Sequence, residues 1–380
     1  MSRKVVSIVL LLFFFQSSSF DPAIAVVKAG AKCSKVGDIA VVSKSTFKCS
    51  KSGKKLIWRL FQVVINPVIK NSSETIAFEI WQKYQVNKKS NRELNYLFSP
   101  TSQKNSPVIE KIIIDTEASW NYWSNYGFLD PSRIKIVFTT EQDIQWWNNY
   151  KITNSLNCQN SCNEMFTNFE QQPYTGSVYY SNISDDSHSN LTIFYFISST
   201  LKDEGDIYMA EIMASHEFAH VVQMELNPGL VRYLQPCWFI EGFARFYERS
   251  MHYADKYPRN ISFSSLQKGE IKYFERRVRE VTNLSPLGSW KVSEYLNFIM
   301  ESSNLNSFNC KEINYGYKIG WVISEKYYAD FGELKFIELL KNTFLYKDWE
   351  KAFNVTNGVS QADWMSSSGI PYLLEIVQRN

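Results

Sequence analysis

The chain has 380 residues, a formal net charge of +3, 44% hydrophobic residues and 21% charged residues. This composition is typical of a globular protein with a sizeable core, and it excludes a mainly disordered chain. The length accommodates one large domain or two moderate ones.

The first 25 residues are typical of a secretory signal peptide. Arg3 and Lys4 precede an almost wholly apolar run, Val5–Phe15, and Ala23-Ile24-Ala25 is a cleavage site of the small-x-small kind. The apolar run is shorter than the ~20 residues that a membrane-spanning helix needs, although an uncleaved anchor is the alternative. We therefore predict a signal peptide over residues 1–25, no transmembrane segment after its cleavage, and a secreted, extracellular or envelope-associated protein.

The six cysteines form an even set, which suits three disulfides in an oxidising compartment. Close spacing favours Cys33 with Cys49 and Cys158 with Cys162, which leaves Cys237 with Cys310. Six cysteines allow about 15 connectivities, so other pairings stay open.

Residues 26–60 form a small basic module that carries nine Lys or Arg residues and one acidic residue, Asp38. Turn residues, alternation near Ile39–Val42 and two cysteines predict a β-hairpin closed by a disulfide. The segment resembles a Cys-containing module found near the start of many secreted actinobacterial proteins. Its charge favours contact with an anionic cell-envelope surface, although a solvated basic surface is the alternative. Residues 61–75 are predicted to be a linker.

Residues 76–380 contain a succession of helix and strand patterns. We predict a helix over 109–127 that ends at a glycine, a strand over 133–138 and a second strand over 190–198. A long helix over 206–226 follows and stops before Pro228-Gly229. Further helix patterns separated by glycines begin near residue 315.

The helix over 206–226 contains His216, Glu217 and His220. Residues four apart lie on one helix face, so the two histidines can bind the same metal ion. Glu217 lies about 100° round the helix, where it can reach a water bound to that ion and act as a general base. Two histidines that hydrogen-bond to core carbonyls are the alternative.

A catalytic zinc site needs three protein ligands and one open position. Glu241 stands in an apolar run, Trp238-Phe239-Ile240 before it and Phe243-Ala244 after it, where an acid is costly unless it is paired or bound to a cation. We therefore predict Glu241 as the third ligand. A salt bridge with Arg245, four residues later, is the alternative.

The two motifs together, His216-Glu217-x-x-His220 and Trp238-x-x-Glu241-Gly242-Phe243-Ala244, resemble those of the gluzincin metallopeptidases with a peptidase-MA-like domain. The resemblance covers roughly residues 76–380. It implies an α+β, zincin-like fold, in which a small mixed sheet and the active-site helix are followed by a helical C-terminal subdomain.

The resemblance also implies that His216, His220 and Glu241 bind Zn2+ and that Glu217 is the catalytic base. It suggests Tyr317, with Tyr315 second, as the catalytic residue that stabilises the oxyanion. In zincins the strand corresponding to 190–198 lies at the sheet edge and pairs with the substrate, although an ordinary core strand is the alternative.

The sequence departs from the pattern of thermolysin-like enzymes at Arg245, where an acid that orients a histidine is expected, and Glu248 is a possible replacement. It also lacks the Gly-x-Met-Glu-Asn motif with which aminopeptidases hold a free N-terminus. We therefore expect a zinc endopeptidase that acts on peptides or proteins and has no nucleic-acid partner. A catalytically inactive, zinc-binding cell-surface protein that binds peptides is the alternative.

Overall fold

The computed structural model describes residues 28, 30–34, 39–42, 45–60, 73–87, 94–102, 106–156, 166, 170, 173–181, 190–228, 234–254, 263–281, 290–301 and 314–378. The chain divides into two compact units, Met1–Ile65 and Asn66–Asn380. The predicted signal peptide and most of the predicted linker lie outside the described residues, although residues 73–75 belong to a helix.

The first unit contains a three-stranded antiparallel sheet in the order β1-β2-β3: β1 Ile39–Val42, β2 Ser45–Ser52 and β3 Lys55–Leu60. Ser52 pairs with Lys55, so Gly53 and Lys54 form a two-residue turn, and Gly53 has the positive φ of +60° that such turns require. The predicted disulfide between Cys33 and Cys49 is confirmed. Cys237 is also disulfide-bonded, but Cys158, Cys162 and Cys310 lie outside the described residues.

The second unit contains a four-stranded mixed sheet in the order β4-β5-β7-β6: β4 Asn95–Phe98, β5 Ile134–Thr139, β6 Tyr174–Tyr180 and β7 Leu191–Ile197. Strands β4, β5 and β7 are parallel to one another, and β6 runs antiparallel to β7. Strands β5 and β7 correspond to the two predicted strands. The predicted small mixed sheet is therefore confirmed.

The expectation that the strand near 190–198 lies at the sheet edge is wrong. Strand β7 lies between β5 and β6, and all seven of its residues are buried. Its unbroken apolar sequence fits this place, because a strand buried on both faces needs no polar alternation. Within the described part of the chain the edge next to β7 is β6, which the sequence pattern did not indicate because Gly176 and Ser177 interrupt it.

The described residues before 302 form these helices: α1 Ser73–Asn87, α2 Pro107–Ser124, α3 Ile144–Thr153, α4 Glu204–Leu226, α5 Cys237–Met251, α6 Phe263–Val281 and α7 Val292–Glu301. The predicted helices over 109–127 and 206–226 are α2 and α4. Helix α4 begins after Asp203, whose carboxylate accepts hydrogen bonds from the backbone N–H groups of Gly205 and Asp206, at 2.8 and 3.3 Å.

The last third of the described chain is helical. A π-helical segment, Gly316–Gly320, leads into α8 Trp321–Phe331, and α9 Glu333–Tyr346, α10 Trp349–Asn357, α11 Gln361–Trp364 and α12 Ile370–Gln378 follow. The second unit is thus α+β and mostly helical. Among the described residues, no helix combines the length and the apolar character needed to cross a membrane.

The buried carboxylate of Glu333 in α9 contacts side chains of α1, α2 and α5. Glu333, at the start of α9, accepts hydrogen bonds from Tyr122 of α2, from Tyr126 just after α2 and from Tyr247 of α5, the last at 3.0 Å. Lys83 of α1 lies 3.1 Å from the same carboxylate. Burial alone would raise the pKa of Glu333, but Lys83 and the tyrosines hold it below its usual range.

Candidate metal centre

Helix α4 carries two of the predicted ligands into the interior. All residues from Ile212 to Leu226 are buried, because the helix packs between α2, α5 and strand β6. His216, Glu217 and His220 are 5%, 6% and 5% exposed. Polar side chains at this depth need partners, so their contacts indicate what the site does.

Helix α5 brings Glu241 to the two histidines. Glu241 Oε2 lies 3.4 Å from His220 Nε2 and 3.7 Å from His216 Nε2. These separations exceed ordinary hydrogen bonds, but two ligands that hold one ion at ~2.0–2.1 Å in tetrahedral geometry lie roughly 3.4 Å apart. The predicted three residues therefore lie close enough together to bind a metal ion.

The carboxylate of Glu241 has an oxygen that the surrounding protein does not satisfy. Glu241 Oε2 is buried and has no hydrogen-bond partner among the described residues. The alternative partner, Arg245, contacts Glu248 and Glu270 instead. An ion between the histidines would satisfy this oxygen, so the donor set fits a bound cation.

Each histidine is oriented through its other ring nitrogen. His216 Nδ1 lies 3.0 Å from Oε2 of Glu248, which confirms Glu248 as its partner. His220 Nδ1 lies 2.7 Å from Oε1 of Gln223, and Gln223 in turn donates to the carbonyl oxygens of Phe239 and Ile240. These contacts leave both Nε2 atoms for an ion. The sequence reasoning missed Gln223, although its position one turn after His220 in a buried helix was a signal.

Arg245 belongs to a charge cluster behind the ligands. Its guanidinium contacts Oε1 of Glu248 and, at 2.8 Å, Oε1 of Glu270 from α6. Lys318 of the π-helical segment lies 2.5 Å from the other oxygen of Glu270. Burial alone would raise the pKa of Glu248, but Arg245 and His216 hold it well below its usual range. Glu248 therefore stays anionic and holds the His216 ring.

The site stabilises positive charge. Burial alone would lower the pKa of His216, but the neighbouring carboxylates of Glu241 and Glu248 raise it to about 10. Burial likewise opposes ionisation of Glu241, yet His220 and His216 hold its pKa well below the usual range. When no ion is bound, a proton on the histidine supplies the positive charge. When a metal ion is bound, the ion supplies it.

Glu217 lies close to the edge strand β6. A Cβ built on Gly176 of β6 would lie 2.6 Å from Glu217 Cγ and 2.8 Å from its Oε1. A side chain at position 176 would therefore displace this carboxylate. The close approach of β6 limits where Glu217 can lie.

Tyr317 and Tyr315 make different contacts. The Tyr317 ring stacks on the His216 ring, with centroids 5.5 Å apart and planes 10° apart, and its hydroxyl hydrogen-bonds to Glu241. The fully buried Tyr315 instead accepts a hydrogen bond from the backbone N–H of Trp238, at 3.3 Å. The structure therefore places Tyr317 beside a candidate metal ligand and the Tyr315 hydroxyl at the start of α5.

Two glycines bring Tyr317 to this position. A Cβ on Gly242 of α5 would lie 2.4 Å from the backbone of Gly320, and a Cβ on Gly316 would lie 2.8 Å from Glu241 Cβ. The π-helical segment and α5 therefore pack backbone against backbone. Such π-turns within helices are frequent at functional sites.

Comparison of the chain with family models, with curated proteins and with solved structures finds no match. The case for a function therefore rests on the residues and their geometry.

Proposed function

We propose that the protein is a secreted, zinc-dependent metallopeptidase of the gluzincin type that cleaves within peptide chains. The observation that carries the proposal is the meeting of His216, His220 and Glu241 around one point, with an unsatisfied carboxylate oxygen directed at it. Two imidazole nitrogens and one carboxylate oxygen are the protein ligands of a well-known class of catalytic zinc site.

Zinc, when bound, polarises the scissile carbonyl and lowers the pKa of a coordinated water to about 7. His216 and His220 bind through Nε2 because Glu248 and Gln223 occupy their Nδ1 atoms. Glu241 would complete a set of three protein ligands. Three protein ligands instead of four distinguish a catalytic zinc site from a structural one.

Glu217 is the proposed general base. It takes a proton from the attacking water and later delivers that proton to the leaving amine. Its contact with Gly176 of β6 supports this role, because the same strand that fixes the carboxylate is positioned to hold a peptide beside it. The reaction is hydrolysis: water adds to the carbonyl carbon and the C–N bond breaks.

Tyr317 is the proposed oxyanion donor. Burial, followed by the nearby Glu241, raises the pKa of Tyr317 well above its usual value, so the phenol keeps its proton at neutral pH. A protonated hydroxyl next to the ligands can donate a hydrogen bond to the negative oxygen that develops on the substrate. Its stacking on His216 holds the ring in place.

Strand β6 is the proposed peptide-binding edge of a zincin-like fold. It pairs with β7 along one side, and no other described strand pairs with its second side, where a substrate strand could be added. Peptides bound along a strand extend on both sides of the cut, which agrees with the missing aminopeptidase motif and favours internal cleavage. The disulfide Cys33–Cys49 supports export, and the basic first unit supports contact with an anionic envelope surface.

The test is cleavage of a diverse peptide mixture, read by mass spectrometry. The zinc-loaded protein is compared with its Glu217→Gln variant, each with and without a chelator. We expect internal cuts that disappear on chelation and in the variant. Removal of N-terminal residues alone would indicate an aminopeptidase. A zinc-loaded protein that cuts nothing would refute the peptidase and favour the inactive peptide-binding protein.

A further inference from the structure

Arg249 is a buried cation that its neighbours do not satisfy. It lies eight residues after Glu241 on α5, hence about 80° from it round the helix axis, and its side chain is only 10% exposed. Its Nε lies 3.9 Å from Glu248 Oε1, and its Nη2 lies 3.5 Å from Glu270 Oε1. Both distances exceed the usual hydrogen-bond range, and Nε has no hydrogen-bond partner in the described part of the chain.

The carboxylates near Arg249 are already engaged by other cations. Glu248 and Glu270 both accept from Arg245, and Glu270 also pairs with Lys318. The cluster thus has three cations for two carboxylates, and Arg249 has the longest contacts. Burial and the neighbouring Arg245 lower the pKa of Arg249 from its usual value, which agrees with an uncompensated charge.

A buried guanidinium with an uncompensated charge is costly, and such groups concentrate at functional sites. An arginine fork presents parallel N–H groups that match the two oxygens of a carboxylate. The ligand that would complete this cluster is therefore a carboxylate from another molecule.

The cluster borders the edge strand on one side of Glu217. Tyr174, the first residue of β6, interacts electrostatically most strongly with Asp206 and then with Glu248, Arg245 and Arg249. Gly176, two residues later and on the same face, contacts Glu217. These two positions lie ~7 Å apart along the strand. A peptide added antiparallel to β6 runs towards Tyr174 in its own C-terminal direction, so the cluster lies beyond the scissile bond on that side.

We propose that Arg249 is a specificity residue that binds a carboxylate of the substrate on the C-terminal side of the scissile bond. This inference rests on the proposed peptidase function. The carboxylate is supplied either by the end of a short peptide or by an acidic side chain. Arg249 acts with Arg245, whose charge keeps Glu248 and Glu270 engaged and leaves Arg249 for the substrate.

The test uses four equimolar hexapeptide mixtures that differ only in two groups. The C-terminus is a carboxylate or an amide, and the fifth residue is glutamate or glutamine. We expect the zinc-loaded protein to cut mixtures that carry a carboxylate with a kcat/KM roughly 10- to 100-fold above the mixture that carries none, the size of one charge-assisted hydrogen bond. If kcat/KM rises only with the C-terminal carboxylate, the end of the peptide supplies the bound group. If it rises only with glutamate at the fifth position, the side chain supplies it.

The Arg249→Gln variant should cut all four mixtures at similar rates, and Arg249→Lys should keep part of the preference because it keeps the charge. Arg276→Gln is the matched control, since Arg276 is 62% exposed on α6, where it contacts Glu280 and the ring of Tyr273. Zinc content confirms that each variant retains the metal site. Equal cutting of all mixtures by the unmodified protein, or a preference that survives Arg249→Gln, would overturn the inference.

A binding measurement separates this inference from the peptidase proposal. The same mixtures are dialysed against zinc-loaded Glu217→Gln, with and without Arg249→Gln, and the retained peptides are counted by mass spectrometry. Carboxylate-dependent retention that needs Arg249 supports the inference even if nothing is cut, and in that case only the peptidase fails. Cutting without any carboxylate preference leaves the peptidase standing and refutes the role of Arg249. Equal retention of peptides with and without a carboxylate would also refute the role of Arg249.

Discussion

The substitution Gly176→Ala tests the contact that positions the proposed base. The added Cβ would lie 2.6 Å from Cγ, 2.8 Å from Oε1 and 2.9 Å from Cδ of Glu217. Carbon atoms in contact lie ~3.5–4.0 Å apart, so the glutamate must move by roughly 1 Å. A shift of that size in a catalytic group can lower turnover about 100-fold.

The same substitution should leave the rest of the protein intact. Gly176 lies in an extended strand without a positive φ, so alanine fits its backbone, and the three atoms nearest the added methyl group all belong to Glu217. We therefore expect full zinc content and a nearly unchanged melting temperature alongside the fall in kcat/KM. The assays are peptide cleavage, metal analysis and thermal unfolding.

Gly269→Ala on α6 is the matched control for this experiment. A Cβ at Gly269 would have no atom within 4 Å, so the same chemical change should have no effect on cleavage. If Gly176→Ala retained full turnover with full zinc content, Glu217 would not be the base that β6 positions. If it lost zinc, the contact would serve the metal ligands instead.

Three further predictions concern the ligands, the oxyanion donor and the fold. Glu241→Gln should weaken zinc binding by at least about 10-fold in a chelator competition, because the neutral amide loses the charge that attracts the ion; unchanged affinity would remove Glu241 from the site. Tyr317→Phe should lower kcat by roughly 100-fold with zinc still bound, and an unchanged kcat would discard the oxyanion role. Glu333→Gln should destabilise the second unit by about 3 kcal/mol in urea unfolding. The pKa of Glu333 is lower in the folded protein than in the unfolded chain. Its contribution to the free energy of unfolding is therefore present above pH ~4.3 and lost as the pH falls below that value. The stability of the unmodified protein should fall more steeply with acid than that of the variant.

The parts of the site that depend on local sequence could be predicted. His216 and His220 share a helix face because of the helical period, and Glu241 was identifiable as an acid in an apolar run. Strands β5 and β7 and helix α4 were likewise visible as unbroken apolar patterns. In each case neighbours in the chain determine the feature.

The parts that depend on distant contacts could not be predicted. The order of strands in a sheet is a tertiary property, so nothing local showed that β6 and not β7 forms the edge beside Glu217. The need for glycine at position 176 arises only when that strand meets α4. Similarly, Glu270 reaches Arg245 from another helix, 25 residues away in the chain.

The central claim is that one zinc ion bound by His216, His220 and Glu241 makes the protein a peptidase. The most direct measurement is a zinc titration of the metal-free protein in which bound metal and peptide cleavage are recorded together. We predict that both rise in parallel and saturate at one equivalent, while Glu217→Gln binds the same equivalent without cleaving. Cleavage by the metal-free protein, or by zinc-loaded Glu217→Gln at the unmodified rate, would contradict the claim.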